Sequence, residues 1–144
     1  MITIATATEM HQLGVKLSAH LQAGDLVLVN GPLGAGKTVL AQGVGEGLGV
    51  TGITSPTFVI SRVHKAETPF IHVDAYRLVD SENPNLYLDD LDLDISNSIT
   101  FIEWGGAESA RLSEDRLEIT IDRSNEERTV EITTVGSRWA GFSL

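Results

Sequence analysis

Eight consecutive residues carry the clearest chemistry in this chain. Gly31 to Thr38 read GPLGAGKT, which fits the pattern G-x-x-x-x-G-K-[ST] of loops that cradle nucleotide phosphates. Each position has a physical reason. Gly34 and Gly36 let the backbone curl until successive N–H groups point at one anion. A helix starting behind them adds roughly half a unit of positive charge at its N-terminus. Lys37 offers a cation to the β- and γ-phosphates. The Thr38 hydroxyl suits Mg²⁺, which keeps most of its shell for phosphate and water. Leu33, Gly34, Ala35, Gly36, Lys37, Thr38 and Val39 are therefore the expected nucleotide-contacting residues, with Lys37 also expected to act in catalysis.

A nucleoside triphosphatase also needs an acid at a neighbouring strand end to hold the metal. Two apolar runs here end in one: Phe70 to Asp74 (FIHVD) and Ile99 to Glu103 (ITFIE). Carboxylates at parallel strand ends sit at the crevice where open α/β sheets bind ligands, and the residues alone do not rank Asp74 against Glu103. Between the loop and these strands lies Thr54-Ser55-Pro56-Thr57-Phe58. A Ser or Thr at this place in such proteins often senses the γ-phosphate, so Ser55 and Thr57 join the expected contacts. Arg77 can neutralise phosphate charge or pair with Asp74, and Trp104 reads as a packing residue. The base contacts are less defined; Thr6, Thr8 and the basic residues near the last two strands are the candidates.

The elements that must position these residues follow from the hydrophobic pattern. Leu26 to Asn30 is a continuous apolar run, as in a strand covered on both faces of a parallel sheet. The glycine turn follows, then a helix from Lys37 to Leu48 with Leu40, Val44 and Leu48 as its apolar ridge. Gly43, Gly45 and Gly47 each weaken that helix by about 1 kcal/mol relative to Ala, so packing must hold it. Met1 to Ala5 reads as a strand and Thr8 to Leu21 as a helix that Thr8 can cap. Thr57 to His64, Phe70 to Asp74 and Ile99 to Glu103 read as strands. Arg116 to Asp122 alternates with Leu117, Ile119 and Ile121 inward and pairs with Thr129 to Val135 as an antiparallel hairpin. Asp80 to Leu91 is ambiguous because Pro84 disfavours one unbroken helix. The expected fold is α/β and P-loop NTPase-like: a mostly parallel central sheet flanked by helices, with antiparallel strands at the C-terminal end. No linker or repeat divides the chain, so residues 1–144 are expected to form one domain.

Composition narrows the functions. The chain has 144 residues and no Cys, which excludes disulfides, thiolate metal sites and thiol catalysis. His11, His20, His64 and His72 are scattered and make no metal motif. No apolar run approaches the length of a membrane span, and MITIATATEMHQ lacks the regions of a signal peptide, so a cytoplasmic protein is expected. Ten basic against twenty acidic residues leave a net charge of −10, which repels polyanions at long range. Leu78 to Ala110 holds eight acids and no Lys or Arg. Its DDLDLD run is a solvated face or a surface offered to a basic partner.

GPLGAGKT, SPTF, HVDAYRL and FIEWG, in that order, resemble the motifs of the TsaE family (also called YjeE), small bacterial P-loop ATPases needed for threonylcarbamoyladenosine modification of tRNA. The family pattern is G-[DP]-L-G-A-G-K-T, S-P-T-[FY], H-x-D-x-Y-R-L and [IL]-E-W. The resemblance runs from Thr8 to Glu103 and is looser in the final hairpin. It implies ATP and Mg²⁺ as cofactors, Thr38 and Glu103 as metal ligands, Asp74 as the functionally important acid, and Ser55-Pro56-Thr57 as a switch-like loop. It also implies partnership with TsaD and TsaB type proteins, which would handle the tRNA. Two departures stand out. Pro84 falls where the family usually has a Glu-rich helix, and Gly105-Gly106 follow Trp104 where it often has Pro.

Two other functions fit a phosphate-binding loop. A small-molecule or nucleotide kinase usually closes an Arg-bearing lid, and Leu78 to Ala110 has no Arg. A nucleotide-dependent binding module with little turnover would keep the loop but not the chemistry. GTP is disfavoured because no N-K-x-D tetrapeptide is present to read guanine.

Overall fold

The computed structural model describes residues 1–32, 34–53, 61–74, 94–103, 113–124 and 126–144. Its elements run β1 (Ile2–Ile4), α1 (Ala7–Ser18), β2 (Leu26–Asn30), α2 (Lys37–Gly47), β3 (Ser61–His64), β4 (Phe70–Asp74), β5 (Ile99–Glu103), β6 (Arg116–Asp122) and β7 (Arg128–Val135), with short 3₁₀ turns at Ile95–Asn97 and Ser137–Trp139. Among the described residues the strands form one seven-stranded sheet, ordered β1-β7-β6-β2-β5-β4-β3.

The central strands β6, β2, β5 and β4 are parallel. Their burial matches their composition: Leu26 to Val29, Phe70, Ile71, Val73, Phe101 and Ile102 are at most 1% exposed. Successive side chains of a strand face opposite ways, so these strands are covered on both faces. The antiparallel strands sit at both edges of the sheet. β7 pairs with β6 as the alternating pattern predicts, β1 adds beyond it, and β3 folds back on β4. The expected strand from Thr57 is described only from Ser61, where it is an edge strand. The ambiguous stretch from Asp80 to Leu91, with Pro84, lies outside the described residues, as do Arg77, Trp104, Gly105 and Gly106.

Helix α1 begins earlier than the sequence suggests. Its cap is Thr6, not Thr8: Thr6 is extended and its side chain accepts from the Glu9 N–H, while Glu9 Oε2 accepts from the Ala5 N–H at 2.7 Å. Thr6 lies a full turn before Met10, where the apolar periodicity starts, so the pattern alone misplaced the cap. The helix also ends at Ser18, because His20 and Leu21 bond three residues back and tighten the last turn.

The glycines of α2 have a packing reason. A Cβ on Gly43 would lie 2.1 Å from the His11 carbonyl oxygen, and one on Gly14 would lie 2.4 Å from the Leu40 carbonyl oxygen. The two helices therefore touch backbone to backbone. Leu13, Leu17, Leu40 and Val44 join Val27, Val29, Leu117 and Ile119 in one core cluster. At the opposite end, Arg138 binds the buried Asp25 carboxylate through both oxygens, at 3.2 and 3.1 Å, and holds the final turn against the start of β2.

Gly43→Ala should destabilise the fold by about 1–3 kcal/mol, despite the gain in helix propensity, because the added methyl must push the helices apart. Urea unfolding checks this. A variant within about 0.5 kcal/mol of the parent, the usual range for a neutral surface change, would contradict the close-contact account.

Candidate functional site

β2 is followed by the glycine turn and then by α2, whose N-cap is Gly36. Gly34 and Gly36 have φ of 78° and 110°, values that residues with a Cβ rarely adopt. The turn thus needs glycine at both places. No side-chain hydrogen bond caps α2 at Gly36, so the first N–H groups of the helix are left for other acceptors. Val29 of β2 and Asp74 of β4 each pair in register with Glu103 of β5. The parallel ladder therefore brings both candidate acids to the same sheet edge as the turn.

Lys37 is 5% exposed and donates to the Gly31 and Pro32 carbonyl oxygens at 2.7 and 2.9 Å. Burial lowers its pKa, and the negative charges of Glu103 and Asp74 oppose that shift in part. Thr38 Oγ1 lies 3.4 Å from both carboxylate oxygens of Glu103. Glu103 is itself 3% exposed, and its Oε2 accepts from His72 Nε2. Two hard oxygen ligands side by side on a magnesium ion lie about 3 Å apart, given bonds near 2.1 Å. The Thr38 and Glu103 oxygens are close to that separation, so this pair fits the ion. Among the described residues no group of three His, Asp or Glu could hold a metal without other ligands.

The outer side of the turn is gripped by the β6–β7 hairpin. Arg128 Nη2 donates to the Gly34 carbonyl at 3.0 Å. A Cβ on Gly34 would lie 2.6 Å from the Arg123 guanidinium. Thr6, Ala7, Met10, Val39 and Arg128 line a small cavity together with Gly34, Ala35 and Gly36. Of the residues considered for base contact, Thr6 and Arg128 border this cavity, whereas Thr8 is exposed in the first turn of α1. Leu33, Ser55 and Thr57 lie outside the described residues. The motif HVDAYRL begins at His72, but the sequence reading gave that residue no role. Its signal was the strand alternation, which puts His72 two residues before Asp74 on the same face of β4.

A parallel sheet with a glycine turn between its first central strand and a helix, and acids at the facing strand ends, defines a P-loop NTPase-like α/β fold. Comparison with known proteins agrees. The family model described as threonylcarbamoyl adenosine biosynthesis protein TsaE matches residues 4–130. A Streptomyces coelicolor protein named tRNA threonylcarbamoyladenosine biosynthesis protein TsaE is 49% identical over 91% of this chain and 94% of its own length. The Bacillus subtilis protein of the same name is 37% identical over 85% of this chain and 77% of its own. The crystal structure of Bacillus subtilis YdiB superposes with a TM-score of 0.77 at 28% identity, covering 96% of this chain and 87% of that one. The chain belongs to the TsaE family. No helix among the described residues is long and apolar enough to cross a membrane.

The buried ammonium of Lys37 makes a pH prediction. Between its lowered pKa and the ordinary value of 10.5, the folded protein sheds this proton before the unfolded chain does. Raising the pH through that window therefore favours the folded state. Measured by urea unfolding, the stability of the parent relative to Lys37→Met should rise as the pH approaches 10.5. A difference that stays flat with pH would contradict the assigned direction.

Proposed function

We propose that this protein binds ATP with Mg²⁺ and hydrolyses it, and that turnover drives a cycle in the tRNA threonylcarbamoyladenosine machinery through TsaD and TsaB type partners. The family assignment supports the pathway. The observation that carries the chemistry is the Thr38 hydroxyl set against the buried Glu103 carboxylate, directly below a turn with left-handed Gly34 and Gly36.

In this reading the phosphates enter the turn and meet the N–H groups at the start of α2. Lys37 gives up its two carbonyl acceptors and turns to the phosphate oxygens, an exchange of neutral acceptors for charged ones that is favourable. Burial lowers its pKa against the opposing charges of Glu103 and Asp74, and the negative charge of a bound phosphate would favour the charged form further. Thr38 and Glu103 would hold the Mg²⁺, which would supply positive charge to offset the charge that develops on the phosphate. Asp74, half-buried beside Glu103 in the ladder, would orient the attacking water or a cation-bound water. Ala35, Gly36 and Val39 border the turn and its cavity, and the sequence motifs assign Leu33, Ser55 and Thr57 to phosphate contact. The base lies toward the cavity bordered by Thr6, Met10, Val39 and Arg128.

Removing the cation tests the reading. Lys37→Ala should weaken ATP binding about tenfold or more, since a hydrogen bond to a charged group contributes about 1.5–3 kcal/mol. Titration calorimetry measures this, and an unchanged affinity would remove the phosphate-loop assignment. Turnover should rise when TsaD and TsaB type proteins are added, and equal rates with and without them would separate the chemistry from the partnership.

Charge makes a second prediction. With a net charge of −10, the isolated chain should bind tRNA only weakly at physiological salt. A salt-sensitive, sub-micromolar dissociation constant in a filter-binding assay would mean that this chain, rather than its partners, handles the tRNA.

A further inference from the structure

We infer that His72 is a positioning residue for Glu103: its Nε2–H fixes the carboxylate against Thr38 in the orientation a divalent cation requires. The inference rests on the metal reading proposed above and adds a residue to it.

The geometry supplies the argument. β4 and β5 pair His72 with Phe101 and Asp74 with Glu103, so His72, Asp74, Phe101 and Glu103 share one face. The imidazole is fully buried. It lies nearly parallel to Phe70, with centroids 6.4 Å apart, and edge-on to Phe101 at 5.8 Å. These rings fix its orientation. Its Nε2 meets Glu103 Oε2, while its Nδ1 is buried with no hydrogen-bond partner among the described residues.

Two consequences follow. A carboxylate only accepts, so Nε2 carries a proton whether the ring is neutral or charged. The orphaned Nδ1 is a cost that a purely structural core position would avoid with Leu or Phe. The polar interaction that offsets it is the bond to Glu103. Thr38 lies equally far from both Glu103 oxygens, so the hydroxyl does not select between them. His72 does, by engaging Oε2 and leaving Oε1 for a cation. Groups that orient a metal ligand through a second hydrogen bond commonly affect metal affinity by 10–100-fold.

The experiment measures ADP affinity by calorimetry as a function of Mg²⁺, with the spectrum of Mn²⁺ bound in the protein–ADP complex as an independent readout. His72→Leu should raise the Mg²⁺ concentration needed for half of the affinity gain by about tenfold and alter the Mn²⁺ signal. Metal-free ADP binding should stay within about twofold, because the phosphate contacts are intact. His72→Gln can place an amide N–H where Nε2 stands, and should return the requirement to within about threefold of the parent; His72→Asn is too short and should not. A folded His72→Leu with parental Mg²⁺ dependence overturns the inference. If that variant does not fold, equal values for the Asn and Gln variants overturn it instead. Glu103→Gln is the control: if it too keeps parental Mg²⁺ dependence, the metal reading itself falls, whereas loss there with none in His72→Leu removes only the role of His72.

Discussion

A carboxylate buried at the end of a central strand constrains this structure more than any other group. Glu103 is 3% exposed, and an ionised carboxylate withdrawn from water costs several kcal/mol unless its oxygens are engaged. The fold supplies the engagement from two elements, β4 and α2. His72 reaches it from β4, Thr38 from the first turn of α2, and the Lys37 charge acts on the same space. None of these is a neighbour in sequence. Each depends on β2, β4 and β5 being parallel and in register, because only then do their carboxyl ends and the turn after β2 meet at one edge. The sheet order is thus tied to the chemistry that the edge can perform.

The chain uses glycine for two separate purposes around that edge. Gly34 and Gly36 supply left-handed backbone in the turn itself. Gly14 and Gly43 supply nothing conformational; they let α1 and α2 meet without side chains between them. Helix propensity alone would replace the second pair with alanine. The backbone contact outweighs that preference, while Leu40 and Val44 pack into the core. The β6–β7 hairpin completes the surround through Arg128 and Arg123 on the outer side of Gly34. The turn is therefore bordered by two helices and a hairpin.

Much of this was legible in the residues. β2, β4, β5 and β6 appear with the boundaries that their apolar runs suggest, because full burial leaves an uninterrupted or cleanly alternating signal. The phosphate-type turn was legible because its glycines, Lys37 and Thr38 are specified by local geometry. The Thr6 cap was obscured by Thr8, an equally good capping residue two positions on. What pattern could not give was contact across strands. Asp74 and Glu103 end similar runs, and only the β4–β5 register sets them side by side. The pairing of His72 with Glu103 joins residues 31 positions apart, and a lone histidine in an apolar strand carries no mark of its partner. The Arg128 contact with Gly34 spans 94 positions and was legible only as a loose expectation of basic residues near the hairpin.

The central claim is that Gly34 to Thr38 receive nucleotide phosphates and that Thr38 with Glu103 receives the accompanying cation. A crystal structure with Mg²⁺ and a non-hydrolysable ATP analogue tests it most directly. The account predicts phosphate oxygens bound by the N–H groups of the turn, Lys37 moved off the Gly31 and Pro32 carbonyls, and Mg²⁺ within bonding distance of both Thr38 Oγ1 and Glu103. Phosphates bound elsewhere, or a cation held by Asp74 with Glu103 still closed on Thr38, would contradict it.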